Sequence, residues 1–158
     1  ADVDAIQTIN MEAFANHPIS HQTEHLIVNA LRKANALTLS LVAELDGQVV
    51  GHIAFSPTPI NGVDLSWFTL GPIAVLPAFQ KKGIGSQLIQ AGLAGLKAIG
   101  AKGCSLVGDP NYYLRFGFRH SDSLSIPGVS AEYFMCLPLA DHIPSGEVAI
   151  HPAFFVTE

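Results

Sequence analysis

Gln80-Lys81-Lys82-Gly83-Ile84-Gly85 lies between an apolar, strand-like run over 70–76 and a helix-like run over 86–99. Strand, basic glycine loop and helix, in that order, build a cradle for phosphate. The two glycines let backbone N–H groups close on an anion, the helix presents its positive end, and Lys81 and Lys82 add full charges. A ligand carrying a diphosphate is the first expectation.

The 158 residues suffice for one domain over 1–158 that buries a working core without staples. Charged residues make up only 13%, yet no apolar run reaches the roughly 18 residues that a membrane-spanning helix requires. No membrane role is expected. The formal charge is −5 with eight Lys and Arg, which argues against nucleic acid, whose binding rests on a basic face neutralising phosphate. Two of those cations sit in the glycine loop, which suits a small anion rather than a polyanion; the bland alternative is a solvated surface pair. Cys104 and Cys136 lie in apolar strand-like segments without metal-ligand spacing and read as reduced core residues. Ala1-Asp2-Val3-Asp4 lacks the layout of a signal peptide, so a cytoplasmic location is expected.

Toward the N-terminus, Val3, Ile6, Ile9 and Phe14 recur at helical spacing over 2–14, with Asp2 as a candidate cap. After His17-Pro18, a second helix over 23–34 carries Leu26, Ile27, Ala30 and Leu31 on one face behind Thr23. Residues 38–43 and 49–55 flank Asp46-Gly47 as a hairpin, ended by Pro57 and Pro59. Asn61-Gly62 turns into a strand over 63–75, where Pro72 removes a ladder donor and predicts a bulge or a splayed edge. Beyond the loop, Leu88, Ile89, Leu93 and Leu96 stripe a helix that Gly100 ends. A buried strand over 104–107, a turn or two of helix over 112–116 and late strands over 133–139 and 148–150 follow, the last of them within a C-terminal strand and tail over 140–158. The order reads as one mixed α/β domain of the α+β kind, a sheet flanked by helices.

Three kinds of cradle compete. A P-loop needs Lys-Ser/Thr after its last glycine, where this chain has Ser86-Gln87. A dinucleotide fingerprint needs a third glycine, where Leu88 stands, and the nearest acid downstream, Asp109, comes late. Gln80-x-x-Gly83-x-Gly85 before a helix instead resembles the coenzyme A pyrophosphate loop, Q/R-x-x-G-x-G/A, of the GNAT superfamily of N-acetyltransferases. Leu70-Gly71-Pro72-Ile73-Ala74-Val75-Leu76-Pro77 is similar to the bulged strand that leads into that loop. Asn111-Tyr112-Tyr113-Leu114-Arg115-Phe116-Gly117-Phe118 resembles the family's short-helix signature, with a tyrosine four residues before Gly-Phe. Extended back to Gly108-Asp109-Pro110, the run is similar to small bacterial members of unassigned substrate. The resemblance covers 2–139; it departs at the start, where the family has a short first strand and this sequence begins in the helix.

The resemblance implies the GNAT fold, a mostly antiparallel mixed sheet splayed at the strand before the loop, and acetyl-CoA as donor. It implies that N–H groups of Gln80, Lys81, Lys82, Gly83, Ile84, Gly85 and Ser86 hold the pyrophosphate, while the main chain of Ile73 and Val75 pairs with the pantetheine arm. A strand N–H, of Ile73 or Ala74, would polarise the thioester carbonyl. Tyr113 is the implied general acid, with a core aromatic as the alternative; Tyr112 points about 100° away on the same helix. Asn111 either bonds the pantetheine or caps the helix. The acceptor, a small-molecule amine or a protein amino group, must lose a proton, and Glu44 and His52 are the candidate bases beside their blander roles as a solvated turn residue and a packed strand residue. Residues 15–25, 56–64 and 119–132 are expected to form its pocket.

His17, His21 and His25 sit four apart, but Pro18 breaks their helix and no carboxylate or Cys completes the set, so no metal is expected. Trp67, Phe79, Phe116, Phe154 and Phe155 read as core or pocket wall. The apolar tail over 153–156 suits either a homodimer contact or burial within the monomer. The competing functions are a non-catalytic acyl-CoA sensing domain and, more remotely, a nucleotide-binding regulatory module.

Overall fold

The computed structural model describes residues 2–15 and 24–155. Helices α1 (Val3–Phe14) and α2 (Glu24–Lys33) precede a hairpin of β1 (Leu39–Leu45) and β2 (Gln48–Pro57). Asp46 and Gly47 take φ of 52° and 80°, the two-residue turn that an Asp-Gly pair favours. Asp2 makes no side-chain cap; its carbonyl accepts from Ile6 N–H instead. The Thr23 cap lies outside the described residues.

Strand β3 (Trp67–Val75) begins later than the alternation over 63–75 suggests. Ile60 and Val63 bridge across the Asn61-Gly62 turn, and Asp64 Oδ1 accepts from Ser66 N–H, which closes that stretch as a loop. Ile53 lies opposite Ile73 and Phe55 opposite Leu70, so Gly71 and Pro72 together face Ala54. This is the bulge that the proline predicts. Strand β4 (Gly103–Val107) runs parallel to β3 but pairs with it only at Trp67, Phe68 and Thr69. Beyond the bulge the two strands part, and that edge of β3 has no strand partner among the described residues.

The main sheet has the order β1-β2-β3-β4-β6, with β6 (Phe134–Pro138) antiparallel to β4. A second sheet pairs β5 (Leu124–Ser125) with β7 (Gly146–Glu147). The strand expected over 148–150 reduces to a single bridge at Val148, because the ladder from Leu124 ends at Glu147. One face of the main sheet carries α3 (Ile84–Ala98), whose Leu88, Ile89 and Leu96 pack on Ile53, Phe55, Leu70 and Leu106. Helix α4 (Pro110–Tyr113) joins that cluster through its tyrosines. On the opposite face Ile9 of α1 packs on Val50, Ala74 and Leu76.

Ala153 and Phe154 pack with Ile27, Leu31 and Ala36 around α2, so these tail residues are spent inside the monomer. Phe155's side chain and Val156 lie outside the described residues. Trp67 is buried, and Phe79, Phe116 and Phe154 are half-buried. Cys104 and Cys136 are buried free thiols, each pushed up in pKa by burial, Cys136 to about 11. No helix among the described residues is long and apolar enough to cross a membrane.

Candidate active site

Where β3 and β4 part, the strand edge, the glycine loop and the start of α3 close around a cleft of about 550 Å³. Lys81 and Gly83 take φ of 63° and 85°, and Gln80 Nε2 donates to Val75 O at 2.9 Å, tying the loop to the strand it leaves. Positive φ twice within three residues curls the chain so that successive N–H groups share one concave side. The N–H groups of residues 81–86 have no main-chain partner among the described residues. Gly83 caps α3 without a side chain, so the first-turn donors and the positive end of a 15-residue helix stay available to an anion.

The cleft wall includes Ile73, Ala74, Val75, Gln80, Lys81, Gly83, Ile84, Gly85 and Ser86, all expected donor contacts. Two others are elsewhere. Lys82 lifts its ammonium over the Phe79 ring, 5.8 Å from the centroid. Asn111 is exposed, and the cap is Asp109, whose Oδ1 accepts from Asn111 N–H at 2.9 Å. Asn111 is therefore the capped residue rather than the cap. Phe79, expected as core or pocket wall, lines the cleft, and Tyr112 and Arg115 line it without having been expected there. Tyr112 and Arg115 are three apart and so share a face; the guanidinium lies 4.7 Å from the Tyr112 ring centroid, and its Nε donates to Tyr112 O.

Tyr113 sits one position round the turn, at the end of β4 rather than on the cleft wall. Its ring covers Gly108 so closely that a Cβ there would meet Tyr113 Cε2 at 2.6 Å. It meets Phe118 edge to face at 6.1 Å. Burial first, and then the neighbouring Tyr112, Asp109 and Cys104, push the Tyr113 phenol up to about 12. It stays protonated at any working pH.

His52 is fully buried on β2, directly opposite Ala74 of the cleft wall. Its Nε2 and Ser40 Oγ are 2.8 Å apart, while Nδ1 has no hydrogen-bond partner among the described residues. Burial, with a smaller push from the Arg32 charge, lowers its pKa to about 4, so the ring is neutral near pH 7. Glu44 is exposed at the end of β1, beside a bulge at Ala43 and Glu44, and is not on the cleft wall. His17 and His21 lie outside the described residues, and no His, Cys, Asp or Glu group among the described residues is arranged to hold a metal ion. Of the expected acceptor segments, 56–64 and 119–132 meet through Ile60, Leu124 and Ile126, whereas most of 15–25 lies outside the described residues.

The sequence family described as acetyltransferase (GNAT) domain matches residues 37–120. An Escherichia coli protein named as the uncharacterized N-acetyltransferase YhbS is 38% identical over 115 residues, covering 72% of this chain and 69% of YhbS. Among solved structures, a GNAT family acetyltransferase from Brucella melitensis, in complex with acetyl-CoA, superposes with a TM-score of 0.87 at 50% identity, over 97% of this chain and 92% of that one. The YhbS structure from Escherichia coli, in complex with CoA, superposes with a TM-score of 0.83 at 34% identity, over 94% of this chain and 87% of that one.

Proposed function

The chain belongs to the GNAT family of N-acetyltransferases, and from that premise we propose that it binds acetyl-CoA in the cleft beside β3 and transfers the acetyl group to a primary amine of a small molecule or a protein. The transfer is a direct attack within a ternary complex, carried out by 1–158 as one domain. The observation that carries this reading is the unpartnered edge of β3 running into a loop with its N–H groups 81–86 uncommitted. A pantetheine arm can add to that edge as a strand would, and the pyrophosphate can settle on the loop and the start of α3. The two relatives solved with acetyl-CoA and CoA support the assignment of the donor.

In the step itself the amine nitrogen bonds to the thioester carbon, the C–S bond breaks, and the nitrogen gives up a proton while the sulfur gains one. An N–H of Ile73 or Ala74, beside the bulge, is the donor assigned to the carbonyl oxygen. Tyr113 is assigned the proton for sulfur on its place four residues before Gly117-Phe118, and its phenol is protonated at working pH. Tyr112 is the competing assignment, favoured by its place on the cleft wall. For the amine proton, the place of His52 opposite Ala74 of the cleft strand favours it over Glu44, which is exposed and off the cleft wall; a ring lowered to about 4 is a weak base, so position alone supports His52.

Calorimetry with acetyl-CoA, ATP and NAD, followed by thiol release across a panel of amines, tests the proposal. Binding of acetyl-CoA alone among the three, with thiol release on adding an amine, is expected. Acetyl-CoA bound but never consumed would leave an acyl-CoA binding domain, and preference for ATP or NAD would leave a nucleotide module.

A further inference from the structure

The face of the sheet beneath α1 and α2 is apolar at both ends and polar in the middle. At one end Ile9 packs with Val50 and Ala74, and at the other Ile60, Trp67 and Cys136 form a separate cluster. Between them the strand register sets Ser40, His52, Ser56, Thr69 and Ser105 on the same side. Polar groups on an interior face are ordinarily paired. Thr58 and Thr69 do pair, and Ser40 meets His52 Nε2. His52 Nδ1 and Ser56 Oγ, however, are buried without a hydrogen-bond partner among the described residues, and so are Nε and Nη2 of Arg32 in the last turn of α2.

Those two nitrogens form one edge of the planar guanidinium and present two parallel N–H bonds, the fork that fits a carboxylate or a phosphate. Held out of water with no acceptor among the described residues, such an edge is strongly unfavourable unless an anion meets it. Of the segments outside the described residues, 16–23 contains no Asp or Glu, and 156–158 carries Glu158. The position also suits an acceptor. Tyr112 of α4 packs in one cluster with α3, so a donor lying on the glycine loop and Tyr112 occupies the α3 side. The amine must then reach β3 from the α1 and α2 side, where α2 contacts β3, His52 is the register partner of Ala74, and the Arg32 charge helps to lower the His52 pKa.

We infer that the acceptor is an amine carrying an oxyanion group, a carboxylate or a phosphate, which docks on Arg32 Nε and Nη2 while its nitrogen meets the thioester at β3. The inference rests on the transferase reading above. His52 Nδ1 and Ser56 Oγ, on the same face, are the neutral partners left for the rest of the acceptor.

The test compares alkylamines with ω-amino acids and ω-aminoalkyl phosphates of equal length, and α-amino acids with their amides, by thiol release from acetyl-CoA. Oxyanion-bearing amines are expected to have kcat/KM about 10- to 100-fold above their neutral partners, the worth of a charge-assisted pair, mainly through KM. The ratio should fall toward one in Arg32→Met and recover in part in Arg32→Lys. Comparing the carboxylates with the phosphates identifies which oxyanion is preferred. A second arm needs neither turnover nor a variant: CoA-loaded protein should melt higher with β-alanine or inorganic phosphate, and not with propylamine. Equal turnover of neutral and charged partners would overturn the inference and leave the transferase intact, and so would the absence of any anion effect on melting. Acetyl-CoA bound, no amine turned over and anions still stabilising would instead overturn the transferase reading and keep the Arg32 site.

Discussion

Gly83 and Gly47 share a backbone conformation and differ in what lies beside them. Gly83 has φ +85° and Gly47 φ +80°, and a Cβ built on either meets nothing within 4 Å. An alanine at either site therefore costs only the left-handed strain, about 1 kcal/mol, or about 2–4 °C in Tm for a chain of this size. Gly47 sits in the β1-β2 turn, whereas Gly83 is on the cleft wall and caps α3. The Gly83→Ala methyl should hold a phosphate off the loop and weaken at least one charge-assisted N–H contact, roughly 10- to 100-fold in affinity. Differential scanning calorimetry and acetyl-CoA titrations on both variants separate the effects. The two melting temperatures should fall together, while only Gly83→Ala loses acetyl-CoA. If Gly83→Ala melts like Gly47→Ala and still binds acetyl-CoA with the parent affinity, the loop is not the cradle.

Tyr113→Phe should lower kcat about 100-fold with little change in acetyl-CoA affinity, and Tyr112→Phe should cost far less; the reverse order would give the proton to Tyr112. Because the Tyr113 phenol is pushed up to about 12, its ionisation should cause no loss of kcat up to pH 10, which a pH profile checks. His52 falls from 6.5 to about 4 on folding, so the unfolded chain binds the extra proton between those values. Stability is then full above pH 6.5 and declines by about 3 kcal/mol as pH falls toward 4. Urea denaturation at pH 7 and pH 4.5 should show a shallower decline in His52→Gln, and an equally steep one would refute the burial argument. Gly92→Ala should lower Tm even though alanine is the better helix former by about 1 kcal/mol, because its Cβ would fall on the Phe55 ring. A rise in Tm would show that Phe55 repacks freely.

The parts of the fold legible in sequence are those set by local backbone chemistry. Asp46-Gly47 specifies its turn, Leu88, Ile89 and Leu96 specify a buried helix face, and Pro72 marks the bulge. The misreadings share a cause, a local pattern with a different partner in space. Val63 and Leu65 alternate as strand residues do, but they are 54% and 38% exposed, on a loop closed by Asp64. Asn111 looks like a cap because it opens an aromatic run, while Asp109 does the capping; Pro110 at the first helical position was the available signal. The β5-β7 pair has two residues on each side and leaves no periodicity to read.

The two halves of the site differ in the same way. The proposed donor half is contiguous, since a pyrophosphate settling on successive N–H groups and glycines would be held by neighbours in sequence, Gln80 to Ser86. The acceptor half inferred above would draw single residues from α2, β1, β2 and β3, and no motif spans them. Its trace lies in the parity of β2. One side of that strand presents Gly51, Ile53 and Phe55, and the other presents Val50, His52, Ala54 and Ser56, every one of them buried. A strand buried on both faces is expected to be apolar on both. A histidine and a serine four residues apart on one face, each left with an unpaired polar atom, are therefore better explained by a ligand than by packing. The same logic separates the two candidate bases: Glu44, at an exposed strand end, needs no ligand to account for it, whereas His52 keeps a buried Nδ1 without a partner among the described residues.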